Sequence, residues 1–284
     1  MRADGKRVKS DDAEYAVVPH IMVERNDALN MIEIDVPVAP MQKYLNEKRK
    51  EGIALSHLSL VIAAYARVVG EFPLLNRFVV NRKIYARKEL AIGMVVLKAG
   101  SDNGTMSKVK FDPSDTVFDV NRKMNEYIDT NREAGDNNKT DKLVSTLLSI
   151  PGLLNVGVRV FKWLDKHGLL PYSIIDASPF HTSMSITNLA SIRTNHIYHH
   201  IYNFGTTSVF LAMGNTREVP SRKGGEISFE KCIPFGVVMD ERICSGIYFA
   251  KAFRQFRKYL ENPELMEIPS EKVIKEVPYR EDAK

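Results

Sequence analysis

"VVMDERICSGIYFAKAFRQFRKYLENPELM", residues 237–266, decides the fold of this chain. Val237 to Met239 read as the end of an apolar strand, and Asp240 to Cys244 as a short polar turn. From Ser245 a run carries Phe249, Phe253, Phe256 and Leu260 at spacings of three and four, the mark of a helix with one apolar stripe. Asn262-Pro263 ends it. Side chains at a strand end project into clefts, so Glu241, Cys244 and Ser245 stand where reactive groups are often held.

Working outward, "TSMSITNL" (182–189), "TSVFLAMGN" (207–215) and "KCIPFGVVMD" (231–240) are strand candidates. "NMIEIDVPV" (30–38) alternates as a half-buried strand does, and a helix is expected from about Pro40 to Gly52. Leu55, Leu58, Ile62, Tyr65, Val69 and Phe72 predict a helix with a broad apolar face, stopped at Pro73. "RFVVNRKIYAR" (77–87) reads as a hairpin turning near Asn81 and Arg82. "LAIGMVVLKAG" (90–100) reads as a strand buried on both faces. Ser101 to Thr105 reads as a polar turn. Residues 116–135 predict an amphipathic helix capped by Ser114 or Asp115, and 135–142 a solvated loop. Within 143–180 two short apolar helices are expected, broken at Pro151-Gly152 and stopped by Gly168 and Pro171. The sum is one α/β domain over residues 1–284, a mixed sheet with helices packed against it.

Composition narrows the function classes. The 284 residues are 44% hydrophobic and 26% charged, as in ordinary globular proteins. The net charge of +5 suits an acidic ligand. Because the charges of both signs are interspersed, nucleic acid is not expected as a partner. Cys232 and Cys244 lack CxxC spacing, which argues against a zinc ribbon or disulfide framework and for a reducing cytoplasm. The N-terminal "MRADGKRVKSDD" has no signal-peptide core, and Leu143 to Val158, interrupted by Pro151, Gly152 and Asn155, is too short to span a membrane.

Residues 73–97, "TSMSITNLASI" (182–192) and 237–266, taken in order, resemble the catalytic domain of 2-oxo-acid dehydrogenase acyltransferases. That family shares its fold with chloramphenicol acetyltransferase. The resemblance runs from about Ile21 to Met266, interrupted by an apolar helical insert at about 139–180. It implies a two-layer sandwich, coenzyme A or acyl-CoA as substrate with no metal, and a homotrimer with active sites between subunits. Function does not follow from fold alone.

The family's turn is HxxxDG, written DHRxxDG in the dehydrogenase branch. Here it reads Asp240, Glu241, Arg242, Ile243, Cys244, Ser245, Gly246, with Glu241 at the catalytic histidine and Ser245 at the motif aspartate. The histidine is a general base with a near-neutral pKa. A glutamate, ordinarily near 4.3, is a poor base for a thiol or alcohol unless desolvated. Ser245 cannot supply the aspartate's ion pair, while Gly246 preserves the turn's entry to the helix. The resemblance places an oxyanion-stabilising hydroxyl at Ser183, against which stands an ordinary strand serine.

Other candidates are weaker. His196, His199 and His200 have helical spacing that would suit a metal, but no ligand partner lies nearby in sequence. A subunit contact or pocket wall is the better reading. His20 is a candidate for the cleft wall; His57 and His167 read as helix-face residues. Cys244 beside a glutamate is expected to be a packing residue rather than a nucleophile. The insert, with Phe161, Trp163, Leu169 and Leu170, could be a lid, a membrane-surface contact, a partner face or extra core; its scattered apolar residues favour burial, within the chain or between subunits. No lipoyl domain, swinging linker or subunit-binding domain precedes Ile21, so a lipoyl acceptor would come from a separate chain.

Two readings stand. One is a stand-alone acyltransferase moving an acyl group from a thioester to a thiol, hydroxyl or amine, with Ser183 for the oxyanion and Glu241 or a histidine as base. The other is a catalytically inactive relative serving as a trimeric scaffold or acyl-ligand binding protein.

Overall fold

The computed structural model describes residues 2–9, 13–97, 104–133, 149 and 153–276. The loop expected at 135–142 and the first apolar helix of the insert lie outside the described residues. A mixed sheet carries the architecture, ordered β2-β10-β8-β7-β5-β6, with β9 paired to an extension of β10. Its strands are β2 (Leu29–Pro37), β5 (Leu90–Leu97), β6 (Gly104–Phe111), β7 (Met184–Asn188), β8 (Val209–Met213), β9 (Arg217–Lys223) and β10 (Glu226–Asp240). β7 runs parallel to both β5 and β8; the other pairings are antiparallel. A second sheet, β1-β4-β3, joins β1 (Gly5–Arg7), β3 (Arg77–Val80) and β4 (Lys83–Arg87). The expected hairpin turn falls at Asn81 and Arg82, both with positive φ (49° and 59°), the geometry of a two-residue primed turn.

Pleat parity sorts the large sheet into two faces. Ile92, Met184, Ile186, Leu211, Phe235, Val237 and Met239 pack into the main core. That core is shared with helices α2 (Val38–Lys50), α3 (His57–Glu71), α4 (Val117–Glu133) and α7 (Gly246–Glu261). The predicted apolar stripe of α7 is buried at Phe249, Phe253, Phe256 and Leu260. α3 is central, with Ser56 capping it by accepting from the Ser59 N–H at 3.0 Å. Helix α4 is capped by Thr116, not by Ser114 or Asp115. The Asp119 N–H donates to Thr116 Oγ1 at 3.2 Å and the Thr116 N–H to Asp119 at 3.1 Å, a reciprocal capping box.

The opposite face is crossed by the irregular segment 194–205. Its approach explains two glycines: a Cβ on Gly236 would lie 2.2 Å from the Ile197 carbonyl oxygen, and one on Gly214 2.3 Å from the His196 nitrogen. Ile201, Phe210 and Val238 form a small separate cluster there.

The insert leaves much of its apolar surface uncovered within the single chain. Helices α5 (Leu153–His167) and α6 (Tyr172–Ala177) are present, and Gly168 closes α5 at φ +70°. Val156, Val158, Val160, Trp163 and Leu169 are nevertheless exposed. α5 is pinned by its polar Asp165, so its apolar residues do not define the buried side. Five elements have no counterpart among the sequence expectations: β1, α1 (Ala13–Ile21), α6, β6 and β9. β5 is buried on both faces from Leu90 to Met94, as expected, and is exposed at Val95.

Candidate functional site

Asp240, fully buried at the end of β10, organises the turn. It accepts the Arg242 N–H at 3.1 Å and both arms of the Arg242 guanidinium at 2.8 Å. Arg25, from the segment between α1 and β2, adds a longer contact of 3.4 Å. Arg242 also donates to the carbonyls of Met22 and Val23 (3.3 and 2.9 Å), and Arg25 to those of Tyr202 and Gly205. One carboxylate thus ties together the strand end, the chain entering β2 and the segment crossing the open face. Two buried guanidinium groups share one carboxylate and backbone carbonyls, so removing the carboxylate would strand both charges. Burial lowers the pKa of Arg25 from the usual arginine value, and Asp240 opposes the shift.

This framework presents Glu241 half-buried, with no hydrogen bond or ion pair to its side chain among the described residues. Ser245 caps α7, its hydroxyl accepting the Tyr248 N–H at 3.3 Å. Serine and aspartate are both good caps, so the position keeps that capacity and loses its charge. Gly246 is not needed for close packing: it is exposed, and a Cβ there would meet nothing within 4 Å. Cys244 is buried in the core, and desolvation pushes its thiol well above the ordinary range. That fits its reading as a packing residue.

Ser183 is buried just before β7. Its hydroxyl accepts the Ala91 N–H at 3.0 Å and donates to the Glu89 carbonyl at 3.3 Å, fastening β7 to β5. The next odd positions, Ser185 and Thr187, face a cavity of about 230 Å³ on the open side. Thr207, His199 and His200 also line it, with Phe180 and Phe204 as apolar wall. Ser185 lies 3.4 Å from the Thr182 hydroxyl, and Thr207 bonds Thr182 (2.7 Å) and the Phe180 carbonyl (3.1 Å). Among the described residues the Thr187 hydroxyl has no partner.

The histidines divide. His199 stacks on Phe210 with ring centres 4.1 Å apart, and His200 meets Tyr202 edge-on at 4.9 Å, both at the cavity. His196 lies outside it, its Nε2 3.7 Å from Glu33. The segment is not helical, which removes the spacing argument for a metal; among the described residues no three His, Cys, Asp or Glu side chains are grouped as metal ligands would be. His20 is exposed on α1, which packs against the 241–243 turn. His57 is partly buried at the start of α3. His167 is exposed at the end of α5 and meets the Trp163 carbonyl at 2.7 Å.

A buried polar cluster was not visible in the sequence. Arg2 pairs with Asp4 (2.9 Å) and, through α5, with Asp165 (2.7 Å). His181 lies 3.4 Å from Asp165 and bonds Ser178 at 2.7 Å. Burial pulls His181 below the ordinary histidine value, with Asp165 acting against it. Burial raises Asp4 and Asp165, but their bonds to Arg2 and His181 leave both below the usual carboxylate range. Lys108 of β6, pushed down to about 8 by burial, donates to the carbonyls of Ile175 and His181. A cavity of about 660 Å³ between β4 and residues 273–276 is lined by none of the turn residues.

Residues 181–268 match the family model of the 2-oxoacid dehydrogenases acyltransferase (catalytic domain), spanning both β7 and the turn. A probable dihydrolipoamide acetyltransferase from Listeria monocytogenes superposes with a TM-score of 0.58 at 16% identity, covering 90% of this chain and 94% of its own. The cubic core of a pyruvate dehydrogenase multienzyme complex gives 0.59 at 12%, covering 91% and 93%. A chloramphenicol acetyltransferase gives 0.54 at 11%, covering 90% and 99%. No curated protein matches the sequence. The fold is therefore the chloramphenicol acetyltransferase-like one that the sequence motifs resemble.

Proposed function

We propose that this chain is an acyltransferase of the 2-oxoacid dehydrogenase type, moving an acyl group from coenzyme A to a thiol, hydroxyl or amine acceptor. The match over residues 181–268 carries the reading, because it takes in both the cavity strand and the buttressed turn. Glu241 is the candidate base. For the oxyanion donor the observations favour Thr187: Ser183 spends its hydroxyl on the backbone, whereas Thr187 faces a cavity unpartnered among the described residues. One hydroxyl aimed at a developing oxyanion contributes about 10²–10³ in kcat. The coenzyme's phosphates match the chain's positive balance.

Glu241 does not line the hydroxyl cavity of its own chain. The reading therefore places the base of one subunit against Thr187 of a neighbour, in a homotrimer with shared sites. A lipoyl acceptor would arrive on a separate chain. Both cysteines are free and buried, which suits a reducing cytoplasm. Among the described residues no helix is long and apolar enough to cross a membrane.

The second reading, a ligand-binding relative without turnover, draws on one observation: the turn keeps its Asp240 framework while Glu241 and Ser245 replace the acid–base pair. Calorimetry with coenzyme A and acetyl-CoA, then chromatographic detection of released coenzyme A with a panel of acceptors, separates the two. Binding with turnover that Glu241→Gln abolishes supports the enzyme. Binding without turnover across the acceptors supports the second reading, and absence of binding removes both.

A further inference from the structure

Helix α5 has an apolar arc wider than the face the fold covers. Val156, Val160 and Trp163, at successive spacings of four and three, share one side of the helix. They remain 57%, 49% and 55% exposed. Beside them Arg159, Lys162 and Lys166 lie on the adjoining side, all exposed. The single acidic residue of the helix, Asp165, is turned inward and held by Arg2 at 2.7 Å and His181 at 3.4 Å. Burying that carboxylate removes the only negative charge from the helix surface. What remains outward is an apolar row with a tryptophan, flanked by three cations on a chain of net charge +5.

We propose that this face of α5 docks on an anionic lipid bilayer, lying in the plane of the interface. Amphipathic helices that sit at such interfaces combine a basic polar side with an apolar side bearing Trp, Phe or Leu, and draw on both burial and attraction to anionic headgroups. Leu169, just past the end of the helix, is also 57% exposed. The charge pattern favours lipid over a second copy of the chain: a copy would bring the same cations, whereas an anionic leaflet complements them. None of these residues lines the hydroxyl cavity; Lys162 and Lys166 border a separate cavity of about 340 Å³ that Arg25 and Arg242 also line, whereas Val156, Arg159, Val160 and Trp163 do not.

Trp163 is the only tryptophan in the chain, so its emission reports this face directly. The intact protein is titrated with vesicles of phosphatidylcholine alone and of phosphatidylcholine with phosphatidylglycerol. The expected result is a blue shift with the anionic vesicles only, reversed by added salt. Arg159→Gln, Lys162→Gln and Lys166→Gln together should weaken the partition on the order of a hundredfold, from the summed attraction of three basic residues at an anionic surface. A circular dichroism melt matching the parent would show that the variant is folded. Val160→Asp should remove the shift while sparing acyl transfer in solution. An unshifted spectrum with both vesicle types overturns the proposal, as does an equal shift with neutral lipid. Emission that is already blue without lipid and depends on protein concentration overturns it in favour of a contact between copies.

Discussion

On the helix-covered face of the sheet, Phe235, Val237 and Met239 of β10 share the main core with α3 and α7. One residue out of phase on the same strand, Gly236 leaves room for a backbone that crosses at 2.2 Å from where its Cβ would stand. The first face is held by volume and tolerates chemistry that keeps volume; the second is held by close approach and carries the hydroxyls and histidines. The contrast separates what stabilises this fold from what its cavity can do.

The sharpest way to break the contrast is at the point that joins the two faces. Asp240→Ala should cost about 3–5 kcal/mol, because Arg25 and Arg242 lose their carboxylate while remaining buried. Urea unfolding would measure it, and a loss below about 1 kcal/mol would show that the arginines escape to water. On the helix face, Phe256→Ala should cost about 3–5 kcal/mol by opening a cavity, yet leave coenzyme A affinity per folded molecule unchanged in calorimetry. On the open face, Gly236→Ala should cost less, about 1–3 kcal/mol for overpacking, and still weaken ligand binding by displacing Ile197 and the cavity wall. Equal binding by the two variants would erase the distinction. Ser245→Ala tests the cap alone, at about 1 kcal/mol.

Acid offers a gentler probe of the Arg2, Asp4, Asp165 and His181 cluster. His181, depressed by burial, remains neutral in the folded chain where an unfolded one already takes up a proton. Its contribution is therefore present above about pH 6.5 and is lost as pH falls through its lower folded value. Asp4 and Asp165, also depressed, lose theirs in the carboxylate range near 4. Stability should decline on acidification from about 6.5 downward. His181→Asn, followed by thermal melts across pH, should flatten the upper part of that decline.

Much of the helix face was legible in the sequence, because apolar periodicity is a one-dimensional signal. The α7 stripe, the Leu55 to Phe72 run and the Asn81-Arg82 turn all show it. Elements at the rim were not. β6 reads as charged through Lys108 and Lys110, yet those lysines find Ile175, His181 and Glu89 in space. β9 is an outlying strand with Arg217, Glu218 and Arg222, though the Gly224-Gly225 pair after it was an available hairpin signal. In the insert, scattered apolar residues give no clean stripe, and among the described residues the side chain of α5 buried within this chain is an aspartate. Within the site, "DERICSG" located the turn and its organiser Asp240 but not the partner Arg25, which is remote in sequence. Ser183 and Thr187 differ by two pleat periods, and the sequence does not show that Ser183 is buried on the backbone of Glu89 and Ala91 while Thr187 lines the cavity.

The central claim is an acyltransferase site divided between neighbouring copies, and a mixing experiment tests it most directly. Glu241→Gln and Thr187→Val are assayed for coenzyme A release from acetyl-CoA, separately and after joint unfolding and reassembly in equal amounts. Each variant alone should be nearly inactive beside an active parent. Random reassembly should restore about a quarter of the sites, because a head-to-tail ring then pairs an intact Glu241 with an intact Thr187. A mixture as inactive as its components, alongside a working parent, would contradict the shared site.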